Sequence, residues 1–305
     1  MNNIITNIKN LELETIKNLK NSKSSNTIRA YQSDFNDFSL FCSKNGFKSM
    51  PTQPKILSLY LTDLSSRSKY STLRRRLASI SIIHKLKGYY IDNKHPIIME
   101  NLMGIKRVKG SNQKGKKPLL INDLKIVIKV INELDQKEIK KIRDKAIILI
   151  GFAGGFRRSE LVNLEFEDVE FVNEGIKIFI KRSKTDQSGE GDIKAIPYFD
   201  NQDYCPVLKL KEWMEFSKIN SGKIFNISDK SVALIIKKYT LLAGLDANKY
   251  GGHSLRSGFA TSAAEAGAEE RNIMAMTGHK TTQMVRRYIK EANLFKNNAL
   301  NKIKI

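Results

Sequence analysis

Seven side chains scattered through the chain could work together on a phosphate ester. His253 and Arg256 stand at i and i+3 in the stretch HSLR. Arg157 follows a glycine pair in GGFRRSEL, and Glu160 lies three residues on, sharing its face if the segment is helical. His279 follows Gly278 in GHK, and Tyr288 comes nine residues later, directly after Arg286 and Arg287. Lys184 lies in the polar stretch KRSKTDQSGEGD, with Lys181, Arg182 and Lys194 as nearby alternatives. Cleaving a phosphodiester without a metal needs a nucleophile, cations aimed at the non-bridging oxygens, and an acid for the leaving oxygen. Arginine suits the clamp, because its planar fork binds phosphate bidentately and keeps its proton. Tyr288 could be the nucleophile. Taken singly, each residue also has an ordinary reading as a surface, packing or ion-pair residue.

Composition narrows the partner. Lys+Arg total 53 against 31 Asp+Glu, a net charge of +22, which favours a polyanion such as nucleic acid. Hydrophobic residues make up 41%, enough for real cores in one large or two ordinary domains. The two cysteines, Cys42 and Cys205, lie far apart and fit no metal spacing, and the four histidines form no ligand cluster. No metal or cofactor is expected. No apolar run approaches the length of a membrane span, and the N-terminal residues do not read as a secretory signal. The expected setting is cytoplasmic and DNA-associated, with no membrane partner.

Periodicity then supplies the elements that must position these residues. TIRAYQSDFNDFSLF places Ile28, Tyr31, Phe35, Phe38 and Cys42 on one helical face, with Asn26 or Thr27 as its cap. A second helix is expected over about 54–65, and a third from Ser71 in STLRRRLASISIIHKLKG. Arg74, Arg75 and Arg76 crowd the first turn of that third helix, where cations oppose the macrodipole, so bound phosphate is an attractive explanation. Residues 106–117, KRVKGSNQKGKK, hold six Lys or Arg and read as a basic linker that would let two domains take opposite sides of a duplex. Lys106 and Arg107 in it, with Lys181, Arg182, Arg286 and Arg287, are further candidates for DNA contact.

Beyond the linker, INDLKIVIKVINELD reads as a helix. The helical run through Ile142, Ala146, Leu149 and Ile150 is expected to be interrupted by Gly151, Gly154 and Gly155, with a short helix resuming at Ser159. IKIFI at 176–180 and KAIPYF at 194–199 alternate as strands of a hairpin with a long polar tip. Helices are expected at about 229–243, 254–266, 268–277 and 281–289, the last capped by Thr281 or Thr282. Trp213 reads as core. His84 and His95 read as structural or surface residues.

In order and spacing, GFRRSEL, the lysine of the hairpin, HSLR, GHK and the tyrosine nine residues after His279 resemble the signature of the tyrosine recombinase (phage integrase) family. NTIRAYQSDFNDFSLFC and YSTLRRRLASISIIH more loosely resemble the core-binding domain of Cre-like and Xer-like recombinases. The resemblance implies a mainly α fold: a helical core-binding (SAM-like) domain over 1–105, the linker over 106–117, and an α-rich catalytic domain over 118–290 with a small antiparallel β-sheet. It implies that Tyr288 attacks the scissile phosphate, leaving a 3′-phosphotyrosyl link and a 5′-hydroxyl. Arg157 and Arg256 would clamp the phosphate, Lys184 would protonate the leaving oxygen, and His253 would assist proton transfer. His279 would hydrogen-bond a non-bridging oxygen, and Glu160 would buttress the arginine and histidine.

The partner implied is double-stranded DNA with an inverted-repeat target, bound by a dimer at each site and by a tetramer in the synapse, through a Holliday junction. The apolar tail over 291–305 would dock on a neighbouring protomer. A type IB topoisomerase or telomere resolvase shares this chemistry, and a non-catalytic accessory DNA-binding protein is a further alternative. Two positions depart from the family pattern. Thr277 precedes Gly278 where an apolar residue is common, and Arg158 follows Arg157 where an aliphatic one is common. Neither is expected to touch the catalytic set.

Overall fold

The computed structural model describes residues 22–111, 115–181, 191–292 and 299–303, with isolated positions before residue 22. Contacts divide the chain into two compact units, Met1–Lys114 and Gly115–Ile305.

The described part of the first unit is helical. Helix α1 spans Ser25–Lys44. Its cap is Ser24, whose hydroxyl accepts the Thr27 N–H at 3.3 Å, not Asn26 or Thr27 as expected. Helices α2 (Pro54–Arg67), α3 (Tyr70–Leu86) and α4 (Pro96–Lys109) follow. Proline at the first turn of α2 and of α4 gives up an N–H that would have no helical partner. Phe38, Tyr60, Leu61, Leu64, Leu73, Ile80 and Ile98 from the four helices are all fully buried together.

Helix α4 corrects the reading of the linker. Lys106, Arg107 and Lys109 form its last turn, where cations favour the negative end of the helix dipole, and Gly110 ends it at φ 72°. Residues 106–109 are therefore helical rather than extended. Lys106 and Arg107 are exposed.

The arginine cluster of α3 is also differently employed. Arg75 pairs with Asp34, which is 2% exposed and also accepts from Ser79 at 2.8 Å. Arg76 pairs with Asp37 and donates to the Tyr60 hydroxyl at 2.6 Å. Burial alone would raise the Asp37 pKa, but hydrogen bonds from Tyr60 and Arg67 and the charge of Arg76 hold it below its ordinary value. The carboxylates that answer these arginines, which stand in the second turn of α3, thus come from α1. Arg75 and Arg76 tie α3 to α1 through these carboxylates, while Arg74 and Arg75 are exposed.

The second unit begins with an extended segment leading to α5 (Ile121–Glu133). Helix α6 (Glu138–Ala153) is the central rod, buried from Asp144 to Ala153. Gly151 does not interrupt it, contrary to expectation. A Cβ there would lie 2.8 Å from Leu255 Cδ1 and 3.1 Å from Leu161 Cδ2, so the glycine lets two neighbouring helices close on the rod. The break comes at Gly154-Gly155, with Gly155 at φ 55°, and the short helix α7 (Arg158–Val162) follows.

Strands β1 (Val169–Val172), β2 (Gly175–Ile180) and β3 (Asp192–Pro197) form one antiparallel sheet in that order. The hairpin is the expected one, but β3 begins and ends two residues early, and β1 was not expected. Arg182 and Lys184 lie outside the described residues. Helices α8 (Pro206–Phe216), α9 (Asp229–Leu242), α10 (Ser254–Glu265), α11 (Glu270–Thr277) and α12 (Thr282–Ala292) complete the unit. Trp213 is buried, and its Nε1 donates to the Ile224 carbonyl at 2.9 Å.

His84 is a core residue, with Nδ1 2.9 Å from the Ile80 carbonyl oxygen, and His95 caps α4. Each unit buries one cysteine fully: Cys42 in the first, its thiol pushed up to about 11 by burial, and Cys205 in the second. Among the described residues no helix is long and apolar enough to cross a membrane. In the tail, Leu300 and Ile303 are exposed.

Candidate active site

The Gly154-Gly155 turn, the head of α7, strand β3 and the turn between α11 and α12 meet around one set of polar side chains. Arg157 stands just before α7. Its backbone N–H donates to Glu160 at 2.9 Å and its guanidinium donates to the same carboxylate at 2.5 Å. A second guanidinium nitrogen donates to the Gly278 carbonyl at 3.2 Å. Glu160 is 7% exposed, so a buried carboxylate fixes the arginine and an arginine fixes the turn that carries His279.

Arg256, one turn into α10, is 4% exposed and donates to the Gly155 carbonyl at 2.9 Å. Its pKa is lowered to about 10, first by burial and then by Arg157, while Glu160 and Tyr288 oppose the shift. His253 caps α10 and is exposed. Its backbone is helical, at φ −92° and ψ −7°, so it stands three residues before Arg256 as HSLR suggested, with the arginine buried and the histidine exposed.

His279 follows Gly278, which ends α11 in the left-handed region at φ 60° and ψ 40°. Glycine alone takes that conformation without cost, and it turns the imidazole back into the site. His279 is 7% exposed, and its pKa falls to about 4 through burial and the charges of Arg256, Arg157 and Lys194. Its ring centroid is 6.0 Å from that of Tyr288, tilted by 41°. Tyr288, on α12, is half-buried against a small cluster of Ala260, Ala264, Ile273 and Val285.

Among the described residues, Lys194 is the lysine found within this set. It is 3% exposed, donates to the Met276 carbonyl, and lies 5.3 Å from the Phe156 ring centre. Burial lowers its pKa to about 8; Glu160 opposes that, and Arg256 and Arg157 add to it. The signal for it was present in the strand alternation, since Lys194 and Ile196 share the inward face of β3.

One of the two departures from the family pattern touches the set, which corrects for Thr277 the expectation that neither would. Thr277 Oγ1 lies 2.7 Å from His279 Nδ1. The Arg158 stem packs over Gly252, beside His253: a Cβ on Gly252 would sit 1.8 Å from Arg158 Cδ. The guanidinium of Arg158 reaches Asp229 at 3.7 Å.

Two further candidates for DNA contact, Lys181 and Arg286, have internal partners. Lys181 bonds Glu165 at 2.6 Å and Asp168 at 2.9 Å, which raises its pKa. Arg286 pairs with Glu270 at 3.4 Å, and Arg287 is exposed, with a guanidinium nitrogen near Gly115. Among the described residues no group of three or more His, Cys, Asp or Glu is placed to hold a metal ion.

A match to the phage integrase family spans residues 124–294, more than half of the chain. The chain belongs to that family, the tyrosine recombinases. An integrase/recombinase xerD homolog of Selenomonas ruminantium is 41% identical over 98% of this chain and 91% of its own. A tyrosine recombinase XerA of Pyrococcus horikoshii is 26% identical over 82% of this chain and 87% of its own. The fold is that of solved recombinases. The XerH site-specific recombinase bound to a palindromic difH substrate, in a post-cleavage complex, superposes with TM-score 0.62 at 18% identity, over 81% of this chain and 73% of that one. A lambda integrase dimer bound to a COC′ core site gives TM-score 0.58 at 15% identity, over 93% and 75%. The mainly helical architecture and the small antiparallel sheet of this tyrosine recombinase are those the resemblance implied.

Proposed function

We propose that this recombinase cuts and rejoins DNA at a defined inverted-repeat site through a covalent 3′-phosphotyrosyl intermediate. One observation carries the reading. Arg157, Lys194, Arg256 and His279, from four separate stretches, gather beside one tyrosine with a single buried carboxylate among them. That surplus of positive charge suits a phosphodiester.

In this reading the Tyr288 oxygen attacks phosphorus and the bond to the 5′-oxygen breaks. His253 assists removal of the phenolic proton, and Lys184 supplies the proton to the leaving oxygen. Arg157 and Arg256 hold the non-bridging oxygens, and Glu160 holds Arg157. The phosphotyrosyl ester keeps the bond energy, so a 5′-hydroxyl from a partner strand reverses the step without ATP or metal. Two protomers bind one site, and two such dimers form the tetramer in which strands exchange through a Holliday junction. Arg74, Lys106, Arg107 and Arg287, all exposed, are the candidates for backbone phosphates.

The test is capture of protein-linked DNA under denaturing conditions, followed by sequencing, with Tyr288→Phe in parallel. The reading expects adducts at one inverted-repeat site from wild type and none from the variant. Scattered adducts would point to topoisomerase-like action. Binding with no adduct from either protein would sink the catalytic reading.

A further inference from the structure

The hydroxyl of Thr277 is fully buried between two partners. It lies 2.6 Å from the Ile273 carbonyl oxygen, one turn back on α11, and 2.7 Å from His279 Nδ1. A hydroxyl has one proton to give, and a carbonyl oxygen can only accept. Two oxygens at 2.6 Å repel unless a proton lies between them, so the Thr277 proton points at Ile273. Toward His279 the same oxygen then offers only a lone pair. The proton of that second bond must therefore be carried by the imidazole, on Nδ1. A neutral imidazole carries one proton, so Nε2 is left bare.

The groups around the ring keep it neutral. Arg256 comes from α10, Arg157 from the head of α7, and Lys194 from β3, all positive, and burial acts in the same direction. Tyr288 faces the ring from α12, and the one acidic group of the set, Glu160, is taken up by Arg157.

We propose that Thr277 is a positioning residue that holds His279 as the Nδ1–H tautomer, so that Nε2 serves the site as a proton acceptor and not as a donor. This rests on the reading of the site given above. It adds that His279 can donate to a non-bridging oxygen only after Nε2 has gained a proton. An incoming phosphodiester makes that gain favourable, because its negative charge offsets Arg157, Arg256 and Lys194. The donor is thus created by binding instead of standing ready, and the hydroxyl on the residue just before Gly278 decides which nitrogen becomes it.

The experiment is nitrogen NMR on the full chain with ¹⁵N-labelled histidine, near neutral pH and without DNA. Four histidine side chains are present, and loss of one set of signals in His279→Gln assigns the ring. Wild type is expected to show a protonated Nδ1 and a bare Nε2. Thr277→Val keeps the shape and removes the hydroxyl, and is expected to move the proton wholly or partly to Nε2. Thr277→Ser is expected to restore the wild-type pattern. Adduct formation is expected to slow about tenfold in the valine variant and to recover in the serine variant, the loss of about one net hydrogen bond. A wild-type ring protonated on Nε2 overturns the proposal, as does a valine variant with an unchanged tautomer. Because the tautomer is read without DNA, absence of adduct from wild type would count against the recombination chemistry and would not touch this result.

Discussion

Lys194→Met should make the protein more stable at neutral pH while removing a charge from the site. The ammonium of Lys194 is 3% exposed, and its pKa stands at about 8 against an ordinary 10.5. Between those values the folded chain binds fewer protons than the unfolded one, so wild-type stability rises with pH across that window. Below pH 8 the buried charge is carried in full, and the difference of about two and a half pKa units corresponds to about 3 kcal/mol of lost stability. Methionine fills similar space without the charge. It gives up the hydrogen bond to the Met276 carbonyl, a loss of about 1 kcal/mol. The net gain at pH 7 is then about 2 kcal/mol. By pH 9.5 the wild-type burden has fallen to about 1 kcal/mol, so the advantage nearly vanishes. The assay is urea unfolding of the full chain, variant against wild type, at both pH values, with the transition of the second unit followed through Trp213. A variant less stable at pH 7, or one whose advantage is the same at both pH values, would refute the reasoning, because it would mean that the lysine carries no burial cost.

Glu160→Ala leaves the Arg157 guanidinium without its buried carboxylate and should cost about 3 kcal/mol in denaturant unfolding. Gly258→Ala should cost about as much, since a Cβ there would lie 2.0 Å from the Leu119 carbonyl oxygen, which is backbone and cannot step aside. For His279 the folded pKa lies below the unfolded one, at about 4 against 6.5, so its share of stability is complete above pH 6.5 and is lost as pH falls toward 4. That share is about 3 kcal/mol, and His279→Asn should flatten the corresponding part of the acid limb. An unchanged acid limb in the variant would count against burial of a neutral ring.

What could be read from the sequence divides along physical lines. Arg157, Arg256, His279 and Tyr288 were legible because few residue types can serve a phosphate, and those types recur in a fixed order. Helix α4 was missed because its apolar face, carrying Ile98 and Leu102, runs into a basic turn that looks like linker composition. Strand β1 was missed because VEFV is four residues long within an acidic stretch, and its pairing partner is what makes it a strand. Gly151 was misread because a glycine that admits a neighbouring helix looks, in sequence, like one that ends its own. The ion pairs of Arg75 and Arg76 could not be read from the sequence because Asp34 and Asp37, their partners, belong to another helix. Thr277 was passed over for a different reason: its two links, to Ile273 and His279, are close in sequence but depend on the turn that the left-handed Gly278 makes at the end of α11.

The burial of Cys42 and Cys205 has a practical side. The chain has two thiols, one at the heart of each unit, and both are shut away from solvent in the folded state. A thiol-reactive reagent can therefore modify each one only when its own unit opens. The two labelling rates, separated by peptide mapping, would time the opening of the units independently in unaltered protein. Repeating the measurement with bound DNA would show which unit the DNA steadies more, with no probe added to either.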